Sequence, residues 1–317
     1  MGIHTAFGIL LALAVASDPR RSPRAQALAC ACVPGFGLVL YLTFSRGALL
    51  ALAAGLAALL LLRPARATVV AAALSLAAAA VAVAGSRLVP AVVDLEAGAP
   101  APSAGGALLV GTLVAAAGAG AALGYRRLRE TRWSEGEIRL RRPLRLAAGL
   151  AVLGAVVVLA GVFAARSDPA QDVADDEARL ATVQTNRARY WGVALDAFAA
   201  HPVIGVGSGS FTVEWRRERT VPEGARDAHS LYLETLAELG VLGGVLLAAL
   251  LAAVAVGFRR RLSGAPRDPV LVPAGLLLTA YAVHAGLDWD WEVPAVTLPV
   301  LICAALVLEP PSRETTE

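Results

Sequence analysis

Few side chains in this sequence could do chemistry, and most of them stand at the mouths of long apolar runs. Asp227–Gly244 reads DAHSLYLETLAELGVLGG, which places His229 just before an amphipathic turn and a hydrophobic segment. An imidazole titrates near neutrality, so it can accept or return a proton. Arg46 stands in Phe44-Ser45-Arg46-Gly47, and Arg187 and Arg189 stand in NRARYWGVAL. A guanidinium matches the geometry of a phosphate or carboxylate with paired hydrogen bonds. His284 and Asp288, four residues apart in HAGLDWDWE, can share a helical face. Their two readings are a structural His–Asp hydrogen bond and, less readily, a divalent-cation site with the neighbouring carboxylates. Proton transfer and anion binding are therefore the chemistry these residue types allow.

The elements that must position them are membrane helices. Of the 317 residues, 57% are hydrophobic and 17% are charged, where a soluble protein has about a quarter charged. The apolar residues come in blocks long enough to cross a bilayer. All 28 basic residues are arginine, which fits a GC-rich coding bias. Cys30, Cys32 and Cys303 lie inside apolar segments, so they read as small, buried and inert.

Nine apolar segments stand out, at about 3–17, 28–44, 47–62, 67–86, 104–124, 146–165, 236–257, 270–287 and 293–308. The fold class expected is all-α, a polytopic helix bundle of about nine spans with one large extracytoplasmic helical loop between spans six and seven. The divisions are residues 1–165 (six spans), 166–235 (the loop), 236–309 (three spans) and a cytoplasmic tail at 310–317. Residues before the first run carry no arginine, so it reads as a span and not as a signal peptide. Arginines crowd loops 18–24, 63–66, 125–145 and 258–269 and are sparse in the alternating ones. The positive-inside rule then places the N-terminus and residues 166–235 outside and the C-terminus in the cytoplasm.

A loop of about 70 residues hardly holds an independent core, so it must pack on the membrane helices. An amphipathic helix is expected over 173–200, with Arg187, Trp191, Leu195 and Phe198 facing the bilayer or the core and Arg189 displaced toward water. On that face Arg187 either meets an anion or snorkels to, or pairs with, a carboxylate. His201-Pro202 ends the helix. Gly205-Val-Gly207-Ser-Gly209 reads as a tight turn whose backbone N–H groups could hold a phosphate oxygen. The run containing Arg216 and Arg217 reads as a solvated face. A helix over 230–239 carries Glu234 and Glu238 on its polar side, and Gly240, Gly243 and Gly244 loosen or closely pack the start of the next span. The tract 28–62 is too long for one crossing, so it must break at Ser45-Arg46-Gly47. Arg46 there is either a snorkelling anchor or a functional group.

Three stretches together resemble the O-antigen ligase and polymerase family of bacterial membrane glycosyltransferases. They are Ser45-Arg46-Gly47; Asn186-Arg187-Ala-Arg189-Tyr190-Trp191 with His201-Pro202-Val-Ile-Gly205-Val-Gly207; and Ala228-His229-Ser230-Leu-Tyr232-Leu-Glu234 running on to Glu238-Leu239-Gly240. The likeness covers about residues 28–260. Family members often have more spans at the N-terminus, and Ser230 stands where asparagine is usual.

The resemblance implies an enzyme of the inner membrane. It moves a glycan from an undecaprenyl-pyrophosphate carrier to a hydroxyl of a glycan, lipid or protein acceptor, with no metal, cofactor, nucleotide sugar or nucleic acid. It also implies Arg46, Arg187 and His229 as catalytic residues. Arg189, Arg216, Arg217, Tyr232, His284 and Asp288 are the further candidates for substrate binding. Two other classes fit a chain of this composition: a polyprenyl-lipid transporter or flippase, and a non-catalytic membrane partner in envelope assembly.

Overall fold

The computed structural model describes residues 1–87, 104–132, 187–220, 222–264 and 268–309. Its regular elements are all helices: α1 (Gly2–Ala16), α2 (Pro23–Leu42), α3 (Arg46–Leu62), α4 (Arg66–Ser86), α5 (Ala104–Arg132), α6 (Arg187–Ala200), α7 (Phe211–Glu218), α8 (Leu231–Gly264), α9 (Leu271–Ala285), a 3₁₀ turn at Asp290–Glu292 and α10 (Pro294–Leu308). Of these, α2, α4, α5 and α8 are long and apolar enough to cross a membrane, and α1, α3, α9 and α10 are shorter apolar helices. Eight of the nine expected segments thus coincide with described helices. The sixth, 146–165, lies outside the described residues, as does the 173–186 part of the expected loop helix.

The described residues fall into two compact units, one holding α1–α5 and the other α6–α10. In the first, α2 packs on α1, α4 and α5, and α1 also packs on α3. Small residues permit the close approach, as in other membrane bundles. A Cβ on Gly118 would stand 2.6 Å from the Ala31 carbonyl oxygen. The expected break between α2 and α3 falls at Thr43–Ser45, where the Ser45 hydroxyl caps α3 by accepting from the Ala48 N–H at 3.2 Å. Cys30 is buried as expected, but Cys32, two residues on, points to the other side and is exposed. The helical period separates them.

Three arginine-rich ends meet at one end of this unit. Asp18, after α1, bonds Arg20 at 2.9 Å and Arg63, after α3, at 3.2 Å. Burial opposes the Asp18 carboxylate, but the Arg20 hydrogen bonds and the Arg63 charge hold its pKa at about 2. The Tyr125 hydroxyl of α5 donates to the Ala16 carbonyl at 2.7 Å. Residues 18–20, Arg63 and Tyr125 therefore share a side.

In the second unit α8 packs on α6, α9 and α10. Residues 231–264 as one straight helix would span about 50 Å, well beyond a hydrocarbon core of about 30 Å. Gly240 interrupts it, with φ 64° and ψ −161°. Loop residues partner backbone groups on both sides of the break. The Ala237 and Glu238 carbonyls accept from Val206 and Gly207, each at 2.9 Å, and the Val241 and Leu242 N–H groups donate to Pro202 and Val203 at 2.8 and 3.4 Å. The GxGxG loop is thus the splint of a helix break, with Gly205, Gly207 and Gly209 all at positive φ. A Cβ on Gly240 would stand 2.3 Å from the Val203 carbonyl oxygen. Gly240→Ala is expected to cost about 1–3 kcal/mol for the backbone conformation alone, read as a lower thermal midpoint of the purified protein in detergent. An unchanged midpoint would mean that this break is not rigidly held.

Candidate active site

The break at Gly240 sets residues 231–239 apart from the apolar stretch that follows, and the site is built on this first part of α8. Its two carboxylates face inward. Glu238 accepts from the Gly209 N–H at 2.8 Å and the Phe211 N–H at 3.0 Å, one on each oxygen. Glu234 accepts from the Ala228 N–H at 2.6 Å. The turn forms as read, and the amides that could have held a phosphate oxygen are already engaged: Gly205 donates to the His201 carbonyl at 2.9 Å, Gly207 to the Glu238 carbonyl and Gly209 to the Glu238 carboxylate. The chain supplies its own anion there, which removes the GxGxG turn as a phosphate cradle.

Helix α6 also differs from its expected face. It buries Tyr190, Val193, Ala194 and Ala197, while Leu195 is 48% exposed. The reason is Tyr190, which meets Trp215 of α7 edge to face at 4.7 Å and shares a small core with Phe211, Ala225, Ala228 and Ala237. Arg187 and Arg189 flank that buried stripe on its two sides. Arg189 was expected in water; instead its Nη1 is buried with no hydrogen-bond partner among the described residues.

His229 sits in the left-handed region at φ 53°, a conformation that most side chains avoid. Its Nδ1 is 3.1 Å from the Asp227 carbonyl oxygen. A carbonyl only accepts, so Nδ1 carries the proton and Nε2 is the basic nitrogen of the neutral ring. The ring lies against Tyr190, centroids 5.1 Å apart and planes 30° apart.

Arg187 is paired with a carboxylate, 101 residues further on: its Nη2 donates to Asp288 Oδ2 at 2.9 Å. Burial opposes the Asp288 charge, but Arg187 above all, with His284 and His229, holds its pKa below the usual carboxylate range. The expected His284–Asp288 pairing does not form. His284, 2% exposed, stands with Nδ1 2.6 Å from Asp290 Oδ2 instead. Asp288 caps its own turn, accepting from the Trp289 N–H at 3.1 Å, and faces Arg187. The tip after α9 therefore brings a carboxylate to Arg187 and into the field of His229.

Asp227, Glu234 and Glu292 bring carboxylate oxygens within 4.8 Å of one another, as do His284, Asp288 and Asp290 with their ligand atoms. In the first group, burial and then the charges of Asp227, Glu238 and Glu292 outweigh the Ala228 hydrogen bond and push Glu234 from 4.5 up to about 7. Burial and Glu292 raise Asp227 as well. The folded protein thus binds a proton at Glu234 that the unfolded chain releases near 4.5. The stability this group contributes is full below about pH 4.5 and is lost as pH rises through 7, on the order of 3 kcal/mol at most. Glu234→Gln keeps an oxygen for the Ala228 N–H and should flatten the fall in thermal midpoint between pH 4.5 and 8. An equal fall in the variant would assign it to another group.

Four candidates remain. Arg46 opens α3 in the first unit. Arg216 and Arg217 are exposed on α7, where Arg217 pairs with Glu214 at 2.8 Å. The Tyr232 hydroxyl donates to the Ala282 carbonyl at 2.6 Å and so ties α8 to α9. Sequence reasoning gave Tyr190 no role, counted Asp290 only among carboxylates that could hold a cation, and saw Glu234 and Glu238 only as a polar face. The one available signal was the spacing of Tyr190, Val193, Ala194 and Ala197.

Residues 103–248 match the family model described as O-antigen ligase. This supports the resemblance carried by the Arg187 and His229 stretches, both of which lie within the match. No curated protein matched the chain.

Proposed function

We propose that this membrane protein, which carries an O-antigen ligase domain over residues 103–248, transfers a glycan from an undecaprenyl-pyrophosphate carrier to an acceptor hydroxyl on the outer face of the inner membrane. The donor's leaving group is a lipid diphosphate, so negative charge grows on it as the sugar–oxygen bond breaks. Arg187 faces that charge as a guanidinium oriented by Asp288. In a site poor in water such stabilisation is usually the largest catalytic contribution. His229 takes the acceptor's proton on Nε2 as the hydroxyl oxygen attacks the anomeric carbon, which gives inversion there. Arg46 is a second guanidinium for the diphosphate, a role that rests on the sequence resemblance.

The observation that carries this reading is the 3.1 Å contact of His229 Nδ1 with the Asp227 carbonyl oxygen. Its Nδ1–H is spent on the Asp227 carbonyl, and Asp288, the carboxylate that pairs with Arg187, lies in its field. The grouping of elements agrees with the proposed topology. The α6–α8 segment meets the tip after α9 through Arg187–Asp288 and α9 itself through Tyr232–Ala282, while Arg261 near the far end of α8 meets Asp268 at 2.8 Å. The Arg261 end of α8 thus stands away from the site.

The test is purified protein with a defined undecaprenyl-pyrophosphate glycan and candidate glycan, lipid and protein acceptors, read by mass spectrometry. The expected product is the acceptor joined to the intact glycan, with undecaprenyl pyrophosphate released. Translocation of labelled lipid by reconstituted protein, with no joined product from any acceptor, would replace this reading by a transporter.

A further inference from the structure

Resting on the reading of His229 as the base, we infer that Tyr190 is a positioning residue for it: the buried phenol ring is the wall that sets the plane of the imidazole. Three observations meet on this ring. Its face lies against His229, centroids 5.1 Å apart with the planes tilted by 30°. Its other surroundings hold it still, since the Trp215 edge stands at 4.7 Å and the residue is 4% exposed. Its hydroxyl is tethered to Glu223 Oε1 at 3.1 Å, and the same Glu223 accepts the Trp215 indole N–H on its carbonyl at 2.9 Å.

An imidazole hinged at its Cβ has two freedoms to lose. The Nδ1–H bond to Asp227 fixes which nitrogen is basic and restrains the ring within its plane. It does not fix the tilt of that plane, and a contact on the ring face does. The left-handed backbone at His229 aims the side chain toward α6 in the first place. Tyr190 is itself an unsuitable acid or base here, because burial and the Glu223 charge raise its phenol well above the usual value. What it supplies is a rigid flat surface, and a flat surface is what aims Nε2 at a hydroxyl. Misplacing a reacting group by about 1 Å can cost on the order of a hundredfold in rate.

The experiment compares Tyr190→Phe, Tyr190→Leu and Tyr190→Met in the purified full chain, with His229→Ala as reference, measuring kcat and KM for the lipid-linked donor. Tyr190→Phe keeps the ring and should stay within about twofold of the parent, since only the bond to an exposed carboxylate is lost. The two ring-free variants should lose about ten- to a hundredfold in kcat with the donor KM unchanged. Tyr190→Met fills nearly the same volume, so it guards against a simple packing loss in Tyr190→Leu. Unchanged kcat in a folded ring-free variant, or an equal loss in Tyr190→Phe, would overturn the inference while an inactive His229→Ala left the base reading standing. An active His229→Ala would instead remove the base reading, and this inference with it.

Discussion

His229→Ala is expected to lower glycan transfer by about 10²–10⁴-fold while the protein still reaches the membrane in normal amount. The attacking hydroxyl must lose its proton as the glycosidic bond forms, and Nε2 is the basic nitrogen the structure leaves for it. Alanine brings one complication, because position 229 has φ 53° and a left-handed alanine costs about 1–2 kcal/mol. His229→Asn separates the two effects. Asparagine tolerates that backbone but has no basic nitrogen. We expect His229→Asn to be as inactive as His229→Ala, with a thermal midpoint close to the parent's. Transfer retained by folded His229→Asn would take the imidazole out of the mechanism altogether.

Arg187→Ala is expected to reduce transfer by about 10²–10³-fold, and Arg187→Lys to recover little of it. Lysine keeps the charge, but as a point charge without the planar fork that pairs with an oxyanion. Part of any loss in Arg187→Ala comes from Asp288, whose carboxylate is 17% exposed and would lose its main counter-charge. The double variant Arg187→Ala, Asp288→Asn removes that unpaired charge. If it recovers stability but not transfer, Arg187 acts on the donor and not only on Asp288. Binding of the donor lipid, measured beside turnover, completes the assignment, since a group acting on developing charge lowers kcat more than it weakens binding. Full transfer by Arg187→Lys would show that paired recognition at this position is unnecessary.

The two results bear on different atoms of one reaction. In the proposed reaction His229 handles the proton of the acceptor and Arg187 the charge of the leaving group. Asp288 stands between these roles, paired with one and in the field of the other. This is why the tip after α9, far along the chain, belongs to the same site as α6 and the loop before α8.

Much of the scaffold was legible in the residues alone. Blocks of apolar residues near bilayer length specify helices because a backbone in hydrocarbon must satisfy its own hydrogen bonds. The break at Ser45 was legible for a similar reason, as a tract too long for one crossing must turn where a cap is available. The family stretches around Arg187 and His229 were also readable, and the family match covers both. Each of these signals is local, carried by length, period or a short motif.

What the sequence could not decide was the pairing of groups far apart along the chain. Asp288 was four residues from His284 and looked like its partner, yet it faces Arg187, because the turn after α9 leaves Asp290 beside the imidazole. Glu238 read only as part of a helix's polar side, yet it accepts from the Gly209 and Phe211 amides at the GxGxG turn, beside the break at Gly240. Tyr190 gave no chemical signal, and its face became the bed of His229 only when α6 met α7 and α8. Helix propensity and hydrophobic period act over a few residues, so the chain order alone determines a membrane bundle with an imidazole and guanidiniums at its helix mouths. Which charge neutralises which, and which nitrogen stays basic, depends on contacts across tens of residues, and only the tertiary structure settles them.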